Sequence, residues 1–216
     1  MPEPPAAPSP IGGRLKRAVD LAIAVPAAAA AGPAMAAIGL WVRRDSPGPA
    51  LYRQRRIGYA GEPFTLYKFR TMVVGAEGIG AGLAISDGDD RITRAGRRLR
   101  RLSLDELPQL WNVIRGDMSL VGPRPTVASQ VERYDARQRR RLLARPGLTG
   151  LAQVSGRNAI PWSERIEIDL AYVDRWSPRR DLAILARTAR VVLGRRGTYR
   201  GPRGGFDLPE PGAGDG

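Results

Sequence analysis

The apolar positions of this chain fall into two patterns. Over 21–42 no charge interrupts the sequence, and cations bracket the run, with Arg14, Lys16 and Arg17 before it and Arg43 and Arg44 after it. At about 1.5 Å per residue, a helix of that length matches a bilayer hydrocarbon core of roughly 30 Å. The composition argues against a simple crossing, because the run is rich in alanine and is interrupted by Pro26, Gly32 and Pro33. Cations favour the cytoplasmic side of a membrane, so a basic cluster at each end predicts that both ends stay there. Gly32 and Pro33, near the middle, are then the break at which the chain turns back. The expectation is a re-entrant membrane helical hairpin over 14–44. A cleaved signal peptide is disfavoured by the Pro-rich residues ahead of the basic cluster, and a buried alanine-rich core helix by the prolines.

Downstream the pattern is that of a folded domain over 45–199. Residues 51–57 and 64–71 read as two short strands joined by a turn through Gly58 and Gly61. The two-residue period puts Phe64, Leu66, Lys68 and Arg70 on one face. Two cations beside two large apolar groups point to a bound anion or to an edge strand guarded by its charges. The acidic stretch 87–90 lacks the spacing and final glutamate of a calcium loop and reads as a turn that caps the next helix, 93–101. That helix carries five arginines, so it is expected along anionic head groups, or presenting an arginine to a phosphate. Residues 127–143 read as one amphipathic helix, 148–157 as a glycine-punctuated loop or short strand, and 162–176 as a helix. Ser177 and Pro178 open a last helix over 178–195, with Leu182, Leu185, Ala189 and Val192 set against its arginines. Such a helix lies at a membrane interface or packs on a core. The fold class expected is α+β, mostly helical, with interfacial amphipathic helices and a small β-hairpin. The Pro-, Gly- and Ala-rich ends, 1–13 and 200–216, are expected to be disordered tails.

Between these elements lies SLDELPQLWNVIRGDMSLVGPRP, residues 103–125. Ser103 stands three residues before Glu106, the spacing of a capping box, and Leu107, Leu110, Trp111 and Ile114 follow at helical spacing. A helix starting here offers unpaired amide groups that favour carboxylates and phosphates, and Asp105 would stay ionised beside a phosphate. Pro108 strains that start unless Asp105 is itself the cap. Neighbouring helical residues diverge by about 100°, so Asp105 and Glu106 can share one ion only at a helix end. An ordinary helix start would show the same letters. The stretch ends with Arg124 held between two prolines.

Charge and composition narrow the chemistry. Against 21 Asp and Glu the 216 residues carry 35 Lys and Arg, for a net +14. An anionic partner is implied: nucleic acid, phospholipid or a phosphorylated substrate. There is no cysteine and no histidine, which excludes disulfides, thiolate chemistry, Ser-His-Asp triads and histidine-bound zinc, and leaves carboxylates as nucleophiles, bases and metal ligands. Lysine occurs only at Lys16 and Lys68.

Five ordered blocks carry a resemblance: KRAVDLAIA at 16–24, YKFRTM at 67–72, 90–125, RPGLTGLAQVSGR at 145–157 and DLAYV at 169–173. Together they resemble the bacterial sugar transferases, the small monotopic phosphoglycosyl transferases. The resemblance implies a monotopic enzyme on the cytoplasmic face of the inner membrane, in contact with membrane phospholipid. It implies transfer of a sugar 1-phosphate from a nucleotide sugar donor, usually a UDP-sugar, to a polyprenyl phosphate acceptor such as undecaprenyl phosphate, the first membrane step of surface polysaccharide or glycoconjugate biosynthesis. Asp105 would be the nucleophile that holds the phosphosugar, and Glu106 its metal- or phosphate-orienting partner, with Mg²⁺ bound by Asp105, Glu106 and the diphosphate. Lys68, Arg70, Arg100, Arg124 and Arg145 are the candidate phosphate and nucleotide cations. Where the family's hairpin breaks at Ser-Pro, this chain has Gly32-Pro33. Two other classes compete: a nucleic-acid-binding protein, which lacks a helix-turn-helix or RNA-recognition signature here, and a basic membrane scaffold without catalysis.

Overall fold

The structure, a computed structural model, describes residues 10–79, 88–156, 160–193 and 207–208. Helix α1 (Gly13–Asp45) opens it and runs through both prolines. Lys16, Asp20, Ala24, Ala28, Met35, Ile38 and Val42 are buried or half-buried, mostly at steps of three or four residues, so one stripe faces the rest of the chain near both ends. Leu15, Val19, Ile23, Val25 and Leu40 are exposed on the remaining surface. The helix is long and apolar enough to cross a membrane.

In place of the hairpin expected to turn at Gly32 and Pro33, 13–45 is therefore a single helix. Each proline removes one ladder bond. Pro26 and Pro33 are both exposed, and packed residues stand on either side of them, Ala24 and Ala28 about the first and Met35 after the second. Buried polar groups fix its first turns. Lys16 Nζ donates to Asp181 Oδ2 at 2.5 Å, and Asp20 Oδ1 accepts from Ser119 Oγ and Leu120 N, each at 3.0 Å.

Strands β1 (Leu51–Ile57) and β2 (Pro63–Phe69) form the expected antiparallel hairpin, with Leu51 opposite Phe69 and Ile57 opposite Pro63. Helix α2 (Arg94–Arg101) is capped by Thr93, whose Oγ1 accepts from Gly96 N at 3.0 Å. Despite its arginines it buries Ala95 and Leu99 against Val42 and Phe69. Helix α3 (Gln109–Arg115) packs on α1 and β2. Beyond it β3 (Ser119–Val121) pairs in parallel with β4 (Gly147–Thr149).

The single helix expected over 127–143 is instead α4 (Ala128–Val131) and a 3-10 segment, Gln138–Leu143. Asp135 and Gln138 separate them by a reciprocal cap: Gln138 N donates to Asp135 Oδ1 at 2.7 Å, and Asp135 N donates to Gln138 Oε1 at 3.2 Å. Helices α5 (Leu151–Ser155), α6 (Trp162–Asp174) and α7 (Pro178–Leu193) complete the chain. The buried face of α7 is not the one expected, since Leu182 is 59% exposed while Asp181 and Ile184 are buried. Asp181 accounts for the rotation, because it accepts from Lys16, Tyr172 and Trp176 and so must face inward.

Two stretches expected to be tails contribute packed residues. Ile11 packs on the central core, and Ile11 N donates to Leu143 O at 3.2 Å. Leu208 is buried beside Trp162 and Ile166, and Asp207 accepts from the N–H and the hydroxyl of Ser163 at 2.8 and 2.5 Å. The remaining residues of both stretches lie outside the described residues.

Candidate active site

The Asp-Glu pair sits on a short 3-10 turn, Leu104–Glu106, between α2 and α3. Ser103 enters that turn in the left-handed region, φ 54°, and does not act as a cap. A non-glycine residue held there is strained, and such strain persists only where the surroundings fix the turn. The expected capping box is thus absent, and Glu106 Oε1 instead accepts from Arg124 Nη2 at 3.3 Å. Pro108 immediately precedes α3, where its missing N–H costs no ladder bond while its carbonyl accepts from Trp111 N at 3.1 Å.

Each cation around the pair comes from a different element. Arg100, on α2, donates from Nε to Thr71 Oγ1 at 2.8 Å. The approach of α2 to that strand end requires glycine at Gly96, where a Cβ would lie 2.0 Å from the Thr71 carbonyl oxygen. Lys68, on β2, stands over the ring of its cross-strand neighbour Tyr52, 5.0 Å from the centroid. Arg124 belongs to the GPRP loop after β3, whose backbone is secured residue by residue. Gly147 N donates to Pro123 O (2.8 Å), Arg141 Nη2 to Arg124 O (3.1 Å), Arg56 Nη1 to Pro125 O (3.3 Å) and Ile57 N to Thr126 O (2.8 Å). Four successive carbonyls thus each receive a donor from outside the loop, which leaves Arg124 on a rigid support.

The charges act on one another. Burial, and then the neighbouring Glu106, push the Asp105 carboxyl up to about 6, against the opposing pull of Lys68 and Arg100. Burial lowers Lys68 to about 8; Asp105 opposes that shift, while Arg56, Arg124 and Arg100 add to it. Burial, followed by Arg124, lowers Arg56 to about 10. The result is a carboxylate, ionised at neutral pH yet poorly solvated, inside a ring of cations. That combination suits nucleophilic attack on a phosphate whose charge the cations offset.

Two of the residues expected in this cluster are used elsewhere. Arg70 donates to Pro49 O (2.7 Å), Ser46 Oγ (2.7 Å) and Ser46 O (2.8 Å), which ties down the exit from α1. Arg145 donates from Nε to Gly116 O at 3.0 Å and feels Arg17 and Asp20 rather than Asp105. Conversely, sequence reasoning passed over Arg56. Its signal was available: the two-residue period of β1 sets Tyr52, Gln54 and Arg56 on one face, opposite Lys68, Leu66 and Phe64. Among the described residues no third carboxylate joins Asp105 and Glu106 as a metal cage. A pair of this kind fits Mg²⁺, which takes one or two carboxylates and completes its octahedron with substrate phosphates and water. The mutual repulsion that raises Asp105 is what a divalent cation would relieve.

Comparison with known proteins adds a second line. The family described as bacterial sugar transferase matches residues 11–195. Undecaprenyl-phosphate galactose phosphotransferase of Salmonella typhimurium is 44% identical over 199 residues, which span 86% of this chain and 42% of that protein. UDP-glucose:undecaprenyl-phosphate glucose-1-phosphate transferase of Caulobacter vibrioides is 46% identical over 186 residues, 82% of this chain and 69% of the relative. Exopolysaccharide production protein ExoY of Rhizobium meliloti is 41% identical over 213 residues, 92% and 94% of the two chains. The chain therefore spans less than half of the Salmonella protein and nearly all of the Rhizobium one.

Proposed function

We propose the reaction from one premise: the chain belongs to the bacterial sugar transferase family. It transfers a sugar 1-phosphate from a UDP-sugar to undecaprenyl phosphate, the substrates named for its relatives, and so starts the assembly of a surface polysaccharide. The observation that carries this reading is Asp105, a carboxylate raised to about 6 among Lys68 and Arg100 and next to a Glu106 that Arg124 engages. Asp105 attacks the sugar-bearing phosphorus, UMP leaves, and the phosphosugar remains on the carboxylate as an acyl phosphate. An oxygen of the lipid phosphate then attacks the same phosphorus and frees Asp105. Lys68, Arg100 and Arg124 offset the charge of the diphosphate, and Glu106 keeps Arg124 turned toward it. Asp105 and Glu106 would hold Mg²⁺, which when bound neutralises phosphate charge and polarises the phosphorus. The test is UMP release from a panel of UDP-sugars, in detergent with undecaprenyl phosphate and Mg²⁺. Continued release should require the lipid, without which at most one UMP per enzyme appears, and should stop with EDTA; a folded, membrane-bound protein that releases nothing from any sugar would overturn the reading.

The pH profile follows from Lys68. Its ammonium attracts the donor diphosphate and loses that charge as the pH rises through about 8, so the KM for UDP-sugar should climb above pH 8. Lys68→Arg keeps its charge there and should move the limb beyond pH 10. An unmoved limb would assign it to another group.

The same reading sets α1 in the cytoplasmic leaflet, re-entrant in the sense that it enters the bilayer without crossing it. Its support is mechanical. Lys16 and Asp20 at one end bond to α7 and β3, and Trp41 and Val42 at the other pack with α2, so both ends belong to one domain. A helix held this way offers lipid only its outer face. The natural chain has no cysteine, so Arg14→Cys and Arg44→Cys give single labels without background. An impermeant thiol reagent should reach both from the cytoplasmic side of inverted vesicles, and labelling of one from each side would mean a spanning helix.

A further inference from the structure

Among the described residues Arg56 is a cation of the cluster with no carboxylate in hydrogen-bond contact, and Glu77 answers its charge only at a remove, through Gln54. Arg124 has Glu106, and Lys68 and Arg100 lie where Asp105 feels them. Arg56 donates from Nε and Nη2 to Gln54 Oε1 at 2.9 and 2.6 Å, and from Nη1 to Pro125 O at 3.3 Å. Both acceptors are neutral, and among the described residues the rest of its donor fork is unused. A half-buried guanidinium beside another cation, with no carboxylate in direct contact, is suited to an anion. The Gln54 amide is in turn held on its other side, donating to Glu77 Oε1 at 3.0 Å, with the Tyr52 hydroxyl bonded to the same carboxylate. Arg56 is therefore oriented in advance rather than folded onto its ligand.

Its position relative to the nucleophile selects which anion. Arg56 lies on β1 opposite Phe64, four residues along the hairpin from Lys68, which pairs with Tyr52, and its Nη1 bonds the carbonyl of Pro125 beside Arg124. Displacement at phosphorus is roughly in line, with the leaving oxygen on the side away from the attacking one. We propose, resting on the reaction given above, that Arg56 binds the nucleoside-side phosphate of the donor and carries the charge that develops on it as it leaves. In that step a bond forms between Asp105 Oδ and the sugar-bearing phosphorus. The bond from that phosphorus to the bridging oxygen breaks, and the oxygen departs on UMP with the electron pair. Gln54 is a positioning residue for Arg56, and Arg56 supplies to the leaving group what Lys68 and Arg100 supply to the group that stays.

The experiment compares UMP and uridine binding by calorimetry in the detergent-solubilised full chain, for wild type, Arg56→Gln and Arg56→Lys, beside donor turnover. Loss of one charge-assisted contact predicts UMP binding weaker by roughly 10- to 100-fold in Arg56→Gln, with uridine unchanged and partial recovery in Arg56→Lys. The donor KM rises with it, because the contact already exists in the bound ground state. Undiminished UMP affinity in folded Arg56→Gln, with wild type still releasing UMP, would overturn the assignment of Arg56 alone. Equal losses for UMP and uridine would overturn it too, by showing a structural role. A wild-type chain that neither binds UMP nor releases it would overturn this proposal together with the reaction it rests on.

Discussion

Asp105→Asn is expected to abolish UMP release, by on the order of 10³-fold or more, while leaving a more stable protein that still partitions with membranes. The amide keeps the shape of the carboxylate but cannot form the acyl phosphate. The stability change follows from linkage. Folding raises this carboxyl from its ordinary 3.8 to about 6, so between those values the folded chain binds the extra proton. The contribution of Asp105 to stability is fullest below about pH 4, falls as the pH rises through 6, and at pH 7 is a net cost of about 2 to 3 kcal/mol. Asparagine carries no such cost. Thermal unfolding of both proteins at pH 7 and pH 4.5 checks this: the variant should melt higher at pH 7, and the gap should narrow at pH 4.5. A variant that keeps turning over would remove Asp105 as the nucleophile, and one that melts lower at pH 7 would show that the carboxylate is held by contacts other than those described.

The largest loss of stability is expected at Asp169. Its carboxylate accepts from Arg141 Nη2 at 2.6 Å, and both side chains are 2% exposed. Arg141 also lies between the rings of Trp162 and Tyr134, 5.3 and 5.6 Å from their centroids, and bonds the Tyr134 hydroxyl at 2.7 Å. Asp169→Ala leaves a buried guanidinium without its counter-charge, at a cost of about 3 to 5 kcal/mol. For a chain of this size that is a fall in melting temperature of roughly 6 to 20 °C. Activity should fall as well, because Arg141 Nη2 is the donor that holds Arg124 O. The double change Arg141→Met with Asp169→Leu separates the two effects. It removes the charges together and should recover much of the stability, yet the carbonyl of Arg124 stays unheld and the donor KM stays high. Full recovery of both would mean that the pair only stabilises the fold.

What could be read in the sequence was whatever a local pattern dictates. The β1–β2 hairpin and α6 follow from alternation, glycine and helical spacing, and Asp105 and Glu106 stood out through the company they keep. At α7 and at Arg70 a polar group with a distant partner outweighed the local pattern. In α7, Leu182 yields the inner face to Asp181, whose partners lie on α1, on α6 and just after α6. At 127–143 the helical period is real, but the Asp135–Gln138 exchange interrupts it. Arg70 and Arg56 were equally basic letters on adjoining strands, and only the fold shows that one serves the backbone near Ser46 while the other faces the cluster. The prolines of α1 read as a break because nothing local reveals the stripe that packs on either side of them.

That stripe has a consequence for where the chemistry takes place. An anchor tethered at one end floats at whatever depth the surrounding lipid sets. With α1 in the cytoplasmic leaflet, as proposed, the anchor is docked near Lys16 and again near Val42, so the separation between its lipid-facing surface and Asp105 would be built into the protein like the draught of a hull. The lipid phosphate would meet the carboxylate at a height fixed by protein packing, and bilayers of shorter or longer acyl chains should leave the rate of the second transfer unchanged.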